Sequence, residues 1–253
     1  MTPPCSLDDH RPMRKAAMTL TLASVNLHCG LDRNGRPFPV KQAIAALDAD
    51  VVLVQENWRV EGSTSLAAAA AADCGYGSVT ELDLISGVPL ARLDIVDGEV
   101  PEETGSFGLA VLSRVPWESV WPLALGAARG DVVGIRSAQV VTFAGLRAVN
   151  VHLTHRVLHG PAQLRRLVAG LRGHGIPTLI AGDLNMCRPT VRVAHPYRPA
   201  VRGRTWPAHR PMAQLDHVLL GPGLTATHAR VGPPVGSDHL PVQLTVAASE
   251  GDR

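Results

Sequence analysis

The chain has little of what marks the more easily recognised classes of protein. Its 253 residues include only four cysteines (Cys5, Cys29, Cys74 and Cys187) with no C-x-x-C spacing, so nothing suggests a disulfide framework or a cysteine-based zinc site. Strong net charge is missing, since 24 Lys and Arg stand against 22 Asp and Glu for a formal +2. No long-range field therefore steers the protein toward nucleic acid or membrane, although a local basic rim can hide in a neutral total. Nothing approaches the length of a transmembrane helix. The early apolar run at 18–25 is short and leads straight into patterned sequence, so it reads as a first strand rather than a signal-peptide core. H-E-x-x-H is absent, which counts against a zinc protease, and no G-x-S-x-G elbow points to a serine hydrolase. Aromatic residues make up only 4% and leave no stacking signature from which to name a substrate. The default expectation is a reduced, cytoplasmic, monomeric protein with no obligate protein partner.

What is present is a pattern of short buried segments. With 45% hydrophobic residues the chain can bury one large core. The division expected is a flexible N-terminal arm at 1–17, a single domain at 18–247 and a tail at 248–253. Strand patterning covers 19–27, Val51–Val54, 108–112, 139–151, 178–181, 216–220 and 240–246. Helical spacing appears at Val40–Leu47 after Pro37 and Pro39, at alanine-rich Ser65–Ala72, and at Gln163–Leu171, where Leu164, Leu167, Val168 and Leu171 share a face. Residues 83–105 read as a long loop or weak hairpin. The segments predict an α/β domain with no internal repeat.

Chemistry-bearing residues gather where these strands end. Asn26 ends the first and Gln55-Glu56-Asn57 the second, while His152 lies in Asn150-Val-His152. Asp183 and Asn185 lie in Gly182-Asp-Leu-Asn185 behind a buried run, Asp216 precedes Val218–Leu220, and Asp238-His239 precede the last strand. Any one of these is an ordinary cap or turn. Six distant segments delivering carboxylate, carboxamide or imidazole to strand ends suit phosphoryl-ester cleavage with a hard cation. Mg²⁺ keeps several waters and needs only one or two carboxylates. Glu56 is the best first ligand, helped by Asp238 and Asn26. Asp216 and His239 can pair as an oriented base or electrophile, and Asn185 and His152 can bond a phosphate oxygen that gains charge.

At these residues the chain resembles the endonuclease/exonuclease/phosphatase (DNase I-like) superfamily. The likeness runs in order from about residue 19 to 246 through Asn26, Val54-Gln-Glu56, Gly108–Arg114, Asn150-Val-His152, Gly182-Asp-Leu-Asn185, Leu215-Asp216 and Gly236-Ser-Asp-His239. It implies a four-layer α/β sandwich, two packed and mainly antiparallel sheets flanked by helices. The implied activity is Mg²⁺-dependent hydrolysis, with Mn²⁺ as a substitute, of a phosphodiester such as DNA. The alternatives are a phosphatase or phospholipase-C-type hydrolase of an inositol phosphate or sphingolipid, and an inactive binding module on the same fold. By resemblance Asn26, Glu56 and Asp238 hold metal. Asp183 aligns or deprotonates the attacking water, Asn185 contacts phosphate, Asp216 orients His239, and His152 sits near the leaving group.

Some positions depart from the family pattern. Leu109 stands where many members carry Asn, a change expected to alter substrate contacts. An acid to pair with His152 has no clear match beyond Glu102 or Glu103. Gly203-Arg-Thr-Trp-Pro207 is similar to the family's aromatic loop, which makes Trp206 and Arg204 candidate substrate contacts against the plainer readings of core packing and loop solvation. His28, His155 and His159 are expected at the surface or behind the site, and Asn57 in a structural role. The loops at 60–105 and 186–212 carry no legible substrate signature, and the long hydrophobic loops of membrane-docking members are not evident.

Overall fold

The computed structural model describes residues 19–93, 95, 99–173 and 175–248. The predicted arm at 1–17, and the predicted tail beyond Ala248, lie outside the described residues. In chain order the elements are β1 (Thr19–Asn26), α1 (Val40–Leu47), β2 (Val51–Val60), α2 (Leu66–Asp73), β3 (Ser78–Pro89), β4 (Thr104–Ser113), β5 (Ser119–Ala127) and β6 (Ile135–Phe143). They continue with β7 (Leu146–His152), α3 (Gly160–Gly170), β8 (Thr178–Asp183), α4 (Arg188–Val191), β9 (Arg198–Pro199), β10 (Asp216–Leu220), β11 (Leu224–Val231) and β12 (Val242–Ala248).

The strands form two six-stranded sheets, ordered β11-β12-β1-β2-β4-β3 and β5-β6-β7-β8-β10-β9. Every pairing is antiparallel except β1 with β2 and β7 with β8, which sit at the centre of each sheet. The apolar strand runs explain the layering. In β2, Val51 and Leu53 enter the core between the sheets, while Val52 and Val54 face α1 and α2. In β7, Leu146 and Ala148 point into the same inter-sheet core, and Val149 and Val151 pack against α3. A strand covered on both faces is apolar throughout rather than alternating. The result is helices, sheet, sheet, helices: the four-layer sandwich expected.

Local signals place the helices. Ser65 caps α2 by accepting from the Ala68 N–H at 3.1 Å, and the Asn57 side chain accepts from the Ala67 N–H at 3.0 Å, so Asn57 anchors that helix start. Phe143, fully buried between the sheets, is the largest of the wholly enclosed side chains; burying a group of that size stabilises by about 1.5–3 kcal/mol. The single strand read at 139–151 is instead the hairpin β6–β7, turning at Ala144-Gly145 with Phe143 paired to Leu146. Gly145 has φ +81, the left-handed geometry a tight turn asks for.

Candidate active site

The central parallel pairs decide where the chemistry gathers. Because β1 and β2 run the same way, the end of β1 at Asn26 meets the middle of β2, with Asn26 in register with Gln55. In the second sheet His152 is in register with Asp183, and Asp183 with Asp216. Those three side chains therefore stand in a row across β7, β8 and β10, at the same end of the sandwich. The loop before β12 adds Asp238 and His239.

Backbone irregularities aim two of these groups. The β2–β4 ladder is interrupted between Val54 and Asn57, and within that bulge Glu56 has φ +51. Asn185, at φ +50, turns the chain just after Asp183. Left-handed conformations of non-glycine residues cost free energy and persist where the surroundings over-determine them, commonly at functional sites. Gly182 permits the close approach of β8 to β7: a Cβ there would lie 1.8 Å from the Val151 carbonyl oxygen.

At the centre of the cluster is Asp183. Its Oδ1 accepts from the Asn185 N–H at 2.8 Å, and Asn26 Nδ2 donates to its Oδ2 at 3.3 Å. The same Asn26 amide donates to Glu56 Oε1 at 2.9 Å, so one carboxamide joins the two carboxylates. His152 Nε2 lies 3.7 Å from Asp183 Oδ2 and 3.8 Å from Glu56 Oε1, too far for direct hydrogen bonds. His239 Nδ1 is 2.8 Å from Asp216 Oδ2, and its Nε2 is 3.8 Å from Asp183 Oδ2. Asn185 Nδ2 donates to the Leu153 carbonyl at 2.9 Å, leaving its second N–H for the cleft.

Burial sets the protonation of this cluster. It raises Asp183 to about 7, helped by the charges of Asp216 and Glu56; His239 and the Asn185 N–H pull the other way without prevailing. Burial alone would lower His239, but Asp216 and Asp183 outweigh it and hold the imidazole well above 6.5. His152 moves in the opposite direction, lowered well below 6.5 by burial and by the nearby cations Arg136, His239 and His155. It is therefore a neutral ring, and its approaches to Glu56 and Asp183 are not ion pairs. Its Nδ1 has no hydrogen-bond partner. Glu103 bonds Trp58 Nε1 instead, at 3.1 Å.

Replacing Asp216 by Asn removes the nearest charge holding the proton on His239. The His239 titration followed by NMR in metal-free protein is expected to move to lower pH. An unchanged midpoint would assign the effect to Asp183 and Asp238 instead. Because the folded value is raised, the linked stability is complete below the ordinary 6.5 and is lost as pH rises through the raised value. Asp216→Asn should flatten that alkaline loss.

Two buried carboxylate oxygens, Glu56 Oε2 and Asp238 Oδ1, have no hydrogen-bond partner. Leaving such groups unpaired is costly unless a cation satisfies them. Glu56, His152 and Asp183 present ligand atoms within 4.8 Å of one another, and this oxygen-rich set fits a hard divalent ion. Asp183, Asp216 and His239 form a second such group, but His239 Nδ1 is engaged by Asp216. Asp238 stands at the margin of the cleft, accepting from Trp206 Nε1 at 3.0 Å and lying 3.7 Å from His28 Nδ1. His28 is buried, with its ring nitrogens 2.9 and 2.7 Å from the Leu31 and Ile95 carbonyl oxygens.

The cleft encloses about 460 Å³. Trp206 lines it and is 39% exposed, so it is a wall of the site rather than core; Arg204 lies exposed within its own loop and reaches back toward the Pro211 carbonyl. Leu109 is wholly buried and does not line the cleft, whereas Phe107, two residues earlier on β4, does and packs against His152 at 5.9 Å between ring centroids. The expectation that Leu109 changes substrate contacts is thereby corrected. Sequence reasoning missed Arg136 and Asp131, a buried ion pair at 2.7 Å whose guanidinium also donates to the His152 carbonyl oxygen at 3.1 Å. It also missed the apolar wall of Leu93, Ile95, Val132 and Val133. None of these sits in a motif; they meet only in the fold.

The Endonuclease/Exonuclease/phosphatase family profile matches residues 23–239. Among solved structures the fold is similar to an endonuclease/exonuclease/phosphatase from Beutenbergia cavernae, at TM-score 0.68 and 21% identity, over 91% of this chain and 72% of that one. It is similar also to a family protein from Leptotrichia buccalis (TM-score 0.67, 12% identity, 89% and 98% covered) and to the human Nocturnin catalytic domain (0.63, 15%, 91% and 95%). No curated protein matches the sequence.

Proposed function

Since the chain belongs to the endonuclease/exonuclease/phosphatase family of metal-dependent phosphoester hydrolases, we propose that it cleaves a phosphodiester, nucleic acid foremost, by in-line attack of water. The observation that carries this reading is that Glu56, whose buried Oε2 has no hydrogen-bond partner, presents a ligand atom within 4.8 Å of those of Asp183 and His152. Glu56 and Asn26 would hold Mg²⁺, or Mn²⁺ in its place, with Asp238 completing the set from the margin. A divalent ion bound there supplies a Lewis acid for the phosphoryl oxygens.

The chain's own groups do the proton work. Asp183, raised to about 7, accepts the proton of the attacking water, because a base is most effective with its pKa near the working pH. His239, charged and fixed by Asp216, donates from Nε2 to the phosphoryl oxygen on which charge grows. Asn185 keeps Asp183 in place through its backbone N–H and offers its free amide hydrogen to phosphate. His152, neutral and fixed through the Arg136 bond to its carbonyl, lies where the leaving group departs.

At the mouth, the exposed His155 and Arg156 suit backbone phosphates and Trp206 a stacked base. The apolar wall of Leu93, Ile95, Phe107 and Val133 favours a second reading, an amphiphilic phosphoester such as a sphingolipid or inositol lipid. A panel of plasmid DNA, abasic DNA, RNA, sphingomyelin and inositol phosphates, assayed with Mg²⁺, Mn²⁺ or EDTA, separates them. The expected result is nicking that chelation abolishes. Cleavage of lipid alone moves the substrate to the second reading, and no metal-dependent cleavage of any phosphoester leaves a binding module.

A further inference from the structure

The two halves of the cluster stand on different sheets. Asn26 and Glu56 belong to the first sheet, and His152, Asp183 and Asp216 to the second. The distance between the sheets therefore sets the distance between the halves; β7 and β8 both approach β2, and β7 meets it at Asn150 through Val54 and Gln55.

One side chain bridges that gap behind the cleft. Asn150 is fully buried on β7, two residues before His152. Its Nδ2 donates to the carbonyl oxygens of Val54 and Ala110, both at 2.9 Å, and its Oδ1 accepts from Gln55 Nε2 at 2.7 Å. Val54 and Ala110 are the last regularly paired residues of β2 and β4 before the bulge that carries Glu56. Gln55 is the register partner of Asn26 and also meets Ser24 Oγ, at 3.2 Å. A buried carboxamide is costly unless bonded, and this one uses both kinds of hydrogen-bonding capacity on the strand that presents Glu56. Its neighbours facing the same layer, Ala148 and Ala181, are small and apolar.

We propose that Asn150 is a positioning residue for the metal site, tying the Glu56 bulge of the first sheet to the His152–Asp183 end of the second so that one cation can meet both. The inference rests on the reading of Glu56 as a metal ligand. In mechanical terms Asn150 sets the gap, Gln55 transmits it to the Asn26 side, and the bulge converts it into the placement of a carboxylate.

Calorimetric titration of Mn²⁺ into metal-free protein tests this without reference to turnover. Asn150→Ala is expected to weaken Mn²⁺ binding about tenfold or more, the range found when groups that orient ligands are lost. Val149→Ala is the control: Val149 is equally buried on the same strand but faces α3, so it should lower the melting temperature while changing affinity less than about twofold. Gln55→Leu cuts the tie without touching Asn150 and keeps the test open if Asn150→Ala does not fold; it too should weaken binding. Combined with Asn150→Ala, it should add less than its separate effect, because both remove the same link. Equal affinities for wild type, Asn150→Ala and Gln55→Leu, or a loss matched by Val149→Ala, would overturn the proposal while leaving the metal site standing. Absence of Mn²⁺ binding by the wild-type protein would instead remove the reading of Glu56 and the proposal with it.

Discussion

Asp183→Asn is expected to lower turnover by about a thousandfold while the protein remains folded, the scale associated with losing a positioned general base. The substitution keeps the shape of the side chain and an oxygen able to accept from the Asn185 N–H, now 2.8 Å from Oδ1. It removes the ability to take a proton from water. It also removes a carboxyl that burial and its neighbours Asp216 and Glu56 already push to about 7, so the ionised form is a burden on the folded state. Activity should therefore collapse without a fall in melting temperature at pH 8. Steady-state kinetics beside thermal unfolding decide the matter: a variant within tenfold of wild-type turnover would place the base elsewhere.

Glu56→Gln should weaken Mg²⁺ or Mn²⁺ affinity by more than about a hundredfold, beyond the tenfold-to-hundredfold typical of groups lying outside the ligands themselves. The amide oxygen can still accept from Asn26 Nδ2, which bonds Glu56 Oε1 at 2.9 Å, so the local hydrogen bonding survives. What disappears is the negative charge on a buried group whose second oxygen has no partner. Metal-free Glu56→Gln should be at least as stable as metal-free wild type, because fewer like charges crowd Asp183. Mn²⁺ calorimetry and metal-dependent melting provide the readout. Wild-type affinity in this variant would show that the cation is held without Glu56.

The residues grouped in the cleft were legible because each belongs to a short pattern at the end of a strongly apolar run. Val51–Val54 and Thr178–Ala181 read as buried strands since both faces are covered, and their ends then had to be Glu56 and Asp183. The strands that did not show were β3, β5, β9 and β11, which are the four sheet edges. Edge strands are half solvated, so Ser78–Pro89 alternates loosely and carries Glu81, Asp83 and Gly87, and Leu224–Val231 is mostly exposed. The hairpin at 139–151 was hidden for the opposite reason: β6 and β7 are both buried, and only Gly145 marks the reversal. The same limit applies to the site. The Arg136–Asp131 pair and the cleft wall of Leu93, Ile95 and Phe107 depend on how β4, β6 and the intervening loops approach, which no local pattern encodes.

The pairing of β1 with β12, in register from Thr19↔Ala247 to Ser24↔Val242, has a consequence for synthesis on the ribosome. Among the described strands, β1 waits for β12. Until Val242–Ala248 emerges, β1 presents a bare backbone edge, and such edges invite pairing with other chains. Asp238 and His239 lie immediately before that closing strand, so they are made after β1 to β11 and just ahead of β12. Closure of the first sheet and completion of the buried cluster thus depend on the same segment, residues 238–248.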